Sequence, residues 1–161
     1  MPAKKIWLMK TEPDVFSWDD LMKMPEQTTM WEGVRNFQAR NLMRDQFKVG
    51  DRVLFYHSNI GKAIVGLAKV VRPAYPDPTQ FDTRSKYYDP GSKLEDPRWL
   101  VVDVKAVRKL PEALPLERLR EVRALNDMML LRKGARLSVQ PVTPAQYRAI
   151  LKTAGISDEE G

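Results

Sequence analysis

The residue pattern predicts an α+β fold, a mixed sheet or small barrel with helices packed outside it. Three observations carry this. β-Prone runs recur at 6–10, 52–58, 63–71 and 99–110. Segments with helical spacing and recognisable caps fall between and after them. The connections are mostly short or irregular and lack the regular helical crossovers of βαβ units.

The first strand runs from Ile6 to Lys10 and ends at Thr11-Glu12-Pro13, because Pro13 cannot donate to a ladder and turns Glu12 away from helix. Ser17, with Asp20 three residues on, predicts a capped short helix through Met24. Asn36 is a good N-cap for the next helix, whose Ala39, Leu42, Met43 and Phe47 share one face. Gly50-Asp51 signals a turn. Arg52 to Ser58 then reads as a strand buried on both faces, and Ala63 to Val71 as another. Gly66 inside the latter predicts a bulge or a close approach. Residues 73–97 form a long irregular stretch, but Tyr75, Phe81, Tyr87 and Tyr88 argue against disorder. Trp99 to Leu110 reads as a strand. Pro115 opens a helix presenting Leu116, Leu119 and Val122. A short helix is expected over Asp127 to Lys133, closed by Gly134. Arg136 to Gln140 alternates as a strand, with Leu137 and Val139 inward. The last helix is capped by Thr143, starts at Pro144, completes a capping box with Gln146 and stops at Gly155.

The 161 residues suit a single domain spanning 1–161. Hydrophobic residues at 43% and charged residues at 30% suit a soluble chain with a real core. No apolar run reaches the roughly 18 residues of a membrane span, and the apolar stretch before Lys10 is too short for a signal peptide. With no cysteine, disulfides and thiolate metal sites are excluded. A formal charge of +6 draws the chain toward polyanions, nucleic acid first among them.

An enzyme reading finds little support. His57 is the only histidine, and Ser58 beside it points to the opposite face of a strand, so the two do not readily meet as nucleophile and base. No nucleophile elbow or phosphate loop occurs, and no His cluster binds metal. His57 could be a strand-end group bonded to structure, a ligand contact or, with Glu12, a catalytic group. A binding reading has more to use. Bases are held by stacking on aromatic rings and by hydrogen bonds to their polar edge. In "WEGVRN", Trp31 either packs in the core or supplies such a ring. Asn36, or the amides around Thr11, offers an edge reader. Arg35, at a helix N-terminus, either holds a phosphate or forms an ordinary ion pair.

Six ordered motifs, KTEP at Lys10 to Pro13, W-x-GVRN-x-QARN at Trp31 to Asn41, FYHSN at Phe55 to Asn59, YYDP at Tyr87 to Pro90, PRW-x-x-VDV at Pro97 to Val104 and RLSVQP at Arg136 to Pro141, cover nearly the whole chain. Together they resemble the EVE domain family. The resemblance implies a PUA-like fold, a small mixed β-barrel flanked by helices, with kinship to YTH, ASCH and PUA domains. It implies a non-enzymatic reader of a modified base, chiefly 5-methylcytosine or 5-hydroxymethylcytosine in DNA, with RNA as the alternative partner, while the residues alone leave a nucleotide- or small-anion-binding protein open as well. No cofactor, metal or membrane is implied, and a monomer is expected. The family's pocket lies near the KTEP strand end and the W-x-GVRN segment. That nominates Lys10, Thr11, Glu12, Trp31, Val34 and Asn36 around the base, extended by His57 and Ser58, with Tyr56 behind them. Lys10 and Arg35 would hold flanking phosphates, and Val34 would form part of a notch for the methyl group. Thr11 stands where many animal members have Ser, keeping the hydroxyl. Phe37 replaces a common Tyr and removes a hydroxyl. Without the basic extension of the animal members, the chain is expected to be cytoplasmic.

Overall fold

The computed structural model describes residues 4–134 and 136–157. Its strands are β1 (Ile6–Thr11), β2 (Thr28–Met30), β3 (Arg52–His57), β4 (Ala63–Pro76), β5 (Leu100–Pro115) and β6 (Val139–Val142). Its helices are α1 (Trp18–Met22), α2 (Phe37–Asp45), α3 (Leu116–Arg120) and α4 (Pro144–Ala154). The α+β class is therefore what the structure shows. In place of a closed barrel, the six strands form one open sheet ordered β2-β5-β4-β3-β1-β6. β1 and β3 are parallel, in register from Ile6 opposite Arg52 to Thr11 opposite His57, and every other pairing is antiparallel.

Period-two alternation divides the core between the two faces of this sheet. Trp7 and Met9 of β1, with Val53 and Phe55 of β3, join Trp18 of α1 and Met43 of α2 on one face. Ile6 and Leu8, with Leu54 and Tyr56, join Leu119 of α3 and Ile150 of α4 on the other. On the first face Trp7 stacks on Phe47 at 4.4 Å, and its indole Nε1 donates to buried Asp51 Oδ2 at 2.9 Å. Asp51 also accepts from the Lys5 and Lys48 amides, so one carboxylate ties the start of β1 to the turn before β3.

The local cap signals hold. Ser17 and Asp20 form the capping box of α1, Thr143 and Gln146 that of α4, and Gly155 closes α4 at φ 74°. Gly66 meets both expectations. The β3–β4 register slips beside it, and a Cβ there would lie 2.4 Å from the Trp18 ring.

Other boundaries differ from the sequence reading. β4 continues past Pro73 to Pro76, and β5 past Pro111 to Pro115. Their pairing slips between Arg72 and Tyr75 and between Ile64 and Gly66, so these prolines sit where the ladder is already interrupted. The three-residue edge strand β2 was not foreseen. The helix expected over Asp127 to Lys133 is a single 3-10 turn, Met129–Leu131, flanked by extended Met128 and Arg132. Met128 and Leu130, two apart, are both buried, a spacing a continued helix would not bury on one side. The last strand is Val139–Val142 and not Arg136 to Gln140. Pro141 is tolerated because β6 is an edge.

The long segment between β4 and β5 is stapled by its own polar side chains. Gln80, fully buried, donates to Asp77 O at 2.7 Å and Trp99 O at 2.8 Å, and accepts from Trp99 N at 3.1 Å. Trp99 Nε1 donates to Asp89 Oδ2 at 2.7 Å.

Candidate functional site

β1 and β3 end together, because Thr11 pairs with His57 and Ser58 N donates to Thr11 O at 2.9 Å. Their C-terminal ends open into a cleft of about 1310 Å³. The segment after β2, the Tyr87 loop and the stretch before β6 complete its walls. Of the residues nominated from sequence, Lys10, Thr11, Glu12, Trp31, Val34 and Ser58 line it together.

Trp31 packs in the core and also borders the cleft. It is 6% exposed, meets Phe55 edge-on at 5.4 Å, and still lines the cleft. Gly33 follows at φ 82°, a conformation open to glycine, and the Tyr87 ring lies against it. A Cβ on Gly33 would be 2.5 Å from Tyr87 Cζ, so the missing side chain is what lets the tyrosine pack against this segment where both line the cleft. Thr11 Oγ1 donates to Phe16 O at 2.8 Å, which leaves its oxygen able to accept from a ligand donor.

Charge in the cleft is mixed. Glu12 and Glu32 line it, as do Lys10, Lys86 and Arg136. Burial, then the nearby Asp77 carboxylate, push the Glu32 carboxyl above its ordinary value against the pull of Arg35 and Lys86. Burial, then the charge on Lys62, bring the Lys10 ammonium below its usual value.

Three nominated residues serve elsewhere. Arg35 is spent inside the protein. It pairs with Asp77 at 3.0 Å, donates to Tyr87 O at 2.8 Å, Val34 O at 3.0 Å and Thr79 Oγ1 at 3.2 Å, and lies 5.4 Å from both the Tyr87 and Trp99 rings. The ion-pair reading of Arg35 thus describes its contacts, since its guanidinium N–H groups are engaged by Val34 O, Asp77, Thr79 Oγ1 and Tyr87 O. Asn36 caps α2 by accepting from Ala39 N at 3.0 Å and lies outside the main cleft. His57 Nε2 accepts from Trp18 N at 3.1 Å, the strand-end structural role, and lies outside the lining. That bond occupies the lone pair a general base would use. Phe37 is exposed, stacks on Trp99 at 4.8 Å and is also outside the cleft, so the hydroxyl missing there is not missing from the site.

Asp77 is the residue the sequence reading missed. It is fully buried and accepts from Gly33 N at 3.1 Å, Arg35 Nη1 at 3.0 Å and Thr79 N at 2.8 Å, fixing the "WEGVR" segment to the Tyr87 loop. Tyr87, Arg136 and Ser138 were within motifs already quoted, and their places in the cleft come from the fold alone. Among the described residues no group of His, Asp and Glu is placed to hold a metal ion. No helix among them is long and apolar enough to cross a membrane.

This arrangement of a parallel strand end, an aromatic wall and a glycine-seated tyrosine occurs in a chain that belongs to the EVE domain family, whose family model matches residues 5–153. Thymocyte nuclear protein 1 of Mus musculus is 44% identical over 90% of this chain and 71% of its own length. The crystal structure of human THYN1 protein in complex with 5-methylcytosine-containing DNA is 40% identical, with a TM-score of 0.90 over 96% of this chain and 99% of that one. A crystal structure of a Pseudomonas syringae protein is 42% identical, with a TM-score of 0.87 over 92% of this chain and 99% of that one. The expected cytoplasmic setting is overturned by these relatives, because the animal proteins that match nearly all of this chain are named as nuclear.

Proposed function

We propose that this domain is a non-enzymatic DNA-binding module that takes one modified cytosine, 5-methylcytosine or 5-hydroxymethylcytosine, out of the duplex and into the cleft. The observation that carries the reading is the human relative in complex with 5-methylcytosine-containing DNA, at 40% identity and a TM-score of 0.90. The physical character of the cleft supports it. Trp31, Phe16 and Tyr87 provide ring surface, and one aromatic stack is worth about 1–3 kcal/mol. That offsets the few kcal/mol lost in unstacking the base. The oxygen of Thr11 suits the exocyclic amine of cytosine, which is a donor. Buried Val34 suits a methyl group. Glu12 and Glu32 would repel a phosphate deep in the cleft, so the buried moiety is the uncharged base and the backbone stays at the rim.

The test is a titration of matched duplexes carrying cytosine, 5-methylcytosine or 5-hydroxymethylcytosine, alongside RNA oligomers with and without methylated adenine, at two salt concentrations. Wild type should prefer one modified duplex by about tenfold, the discrimination expected from one methyl-sized group. Trp31→Phe, which keeps a ring against Phe55, should narrow that preference while thermal melting confirms a folded chain. Equal binding of all duplexes, with one shared salt dependence, would end the reading. A preference confined to methylated RNA would move it to that polymer.

A further inference from the structure

Beside the cleft lies a second concavity of about 460 Å³, lined by Asn36 and Gln38 at the start of α2 and by Met129, Arg132, Lys133, Gly134, Arg136 and Leu137. Three of these residues are cations and none is a carboxylate. All three cations are exposed, and no ion pair among the described residues engages them. Arg132 Nη2 donates to Asp127 O at 3.2 Å, which holds the side chain without neutralising it. Arg136 lines both hollows, so the basic surface is continuous with the cleft. The stretch that carries it is fastened to β1, where Lys10 N donates to Ser138 O at 2.8 Å.

We infer that Arg132, Lys133 and Arg136 form the phosphodiester track of this domain, holding the backbone of the strand whose base enters the cleft. The inference rests on the base-binding reading for the strand's identity and goes beyond it by assigning the phosphate contacts. It fills a role that Arg35 was expected to play and that Arg35 cannot play while it is bound to Asp77 and Tyr87 O. Phosphate contacts position a nucleic acid without reading it. These residues therefore set affinity and salt dependence, while Trp31 and its neighbours set the preference among bases.

The experiment compares wild type, R132Q/K133Q and a control double variant, R118Q/R123Q, that loses the same charge from α3 and the turn after it, residues that line neither hollow. Each is titrated with the unmodified and the 5-methylcytosine duplex across a salt series. Each phosphate contact contributes about 0.9 to the slope of log affinity against log salt on duplex DNA. R132Q/K133Q should lower the slope magnitude by about 1–2, weaken both duplexes by the same factor and leave their ratio unchanged. The control should keep the wild-type slope. An unchanged slope in R132Q/K133Q, or an equal drop in both variants, would overturn the track, the second by showing that only overall charge matters. Loss of the modified-to-unmodified ratio at constant slope would also overturn it. The wild-type ratio reports on the base reading separately. A ratio of one with a slope that responds to R132Q/K133Q removes the flipped base and keeps the track.

Discussion

His57 shows how one residue's environment converts into a measurable property. Burial is the main reason its imidazole is held below the ordinary histidine value; Asp19 opposes the shift and Lys109 adds to it. Its Nε2 also accepts from Trp18 N, a bond the protonated ring cannot accept. Below about pH 6.5 the unfolded chain takes up a proton that the folded His57 resists, so acid favours unfolding. The stability supplied by the neutral ring is complete above that pH and is lost as pH falls through the lower folded value. Glu32, held above its ordinary value, acts with the opposite sign at lower pH, so the comparison must be with a variant and not with wild type alone. Wild-type melting temperature should fall between pH 7.5 and 5.5 more steeply than that of His57→Gln, whose amide oxygen can still accept from Trp18 N. Equal slopes would mean that His57 is not the titrating group. At this same scale the sequence revealed some residues and hid others. Trp31, Thr11 and Ser58 stand in motifs whose chemistry can be read in a short window. Asp77 is one aspartate in a stretch rich in proline and aspartate, and its partners Gly33 and Arg35 lie more than forty positions away. No local pattern encodes such a pairing.

Among the elements, those governed by nearest neighbours were the legible ones. The two capping boxes span four residues each, so Ser17 with Asp20 and Thr143 with Gln146 announce α1 and α4 without help from the fold. β4 and β5 were read too short because Pro73 and Pro111 are strand breakers in isolation. In the sheet, bulges place them where no ladder bond is needed. Gly66 joins the two kinds of element. It lets β4 slip in register, and it leaves the space into which the Trp18 ring of α1 fits. A methyl added there would meet Trp18 Cζ3, Cε3 and Cη2 at 2.4, 2.6 and 2.7 Å, against a side chain only 2% exposed. The ring has little room to yield, because it also meets Phe55 edge-on at 5.3 Å. Gly66→Ala should therefore destabilise by about 1–3 kcal/mol, the usual cost of overpacking, despite alanine's better backbone propensity. It should also disturb the Trp18 N–H bond to His57. Denaturant melts with near-ultraviolet circular dichroism check this. Unchanged stability together with an unchanged tryptophan signal would show that α1 is more loosely seated than its packing implies.

For the molecule as a whole, one sheet separates two cores, and the buried apolar residues that line the cleft belong to only one of them. Trp31 and Val34 belong to the core that contains Phe55, Trp18 and Met43. Ile150 and Leu119 belong to the other, under α3 and α4. The backbone of β1 and β3 is shared, since their odd and even residues face opposite ways, so the question is whether a defect on one side reaches the other. Close-packed interiors transmit strain, but a cavity relaxes mainly into its own surroundings. Ile150 is fully buried, and Ile150→Ala should cost about 2–5 kcal/mol. For a chain of this length that lowers the melting temperature by about 2–4 °C per kcal/mol. Affinity for the modified duplex, measured well below the variant's melting range, should stay at the wild-type value. Val34→Ala offers the contrast. It removes two methyl groups from the cleft wall, so it should reduce the preference for the modified base while costing less stability than the larger deletion. If Ile150→Ala weakens binding beyond its unfolded fraction, the ends of β1 and β3 move with the far core. The cleft would then be shaped by both faces of the sheet.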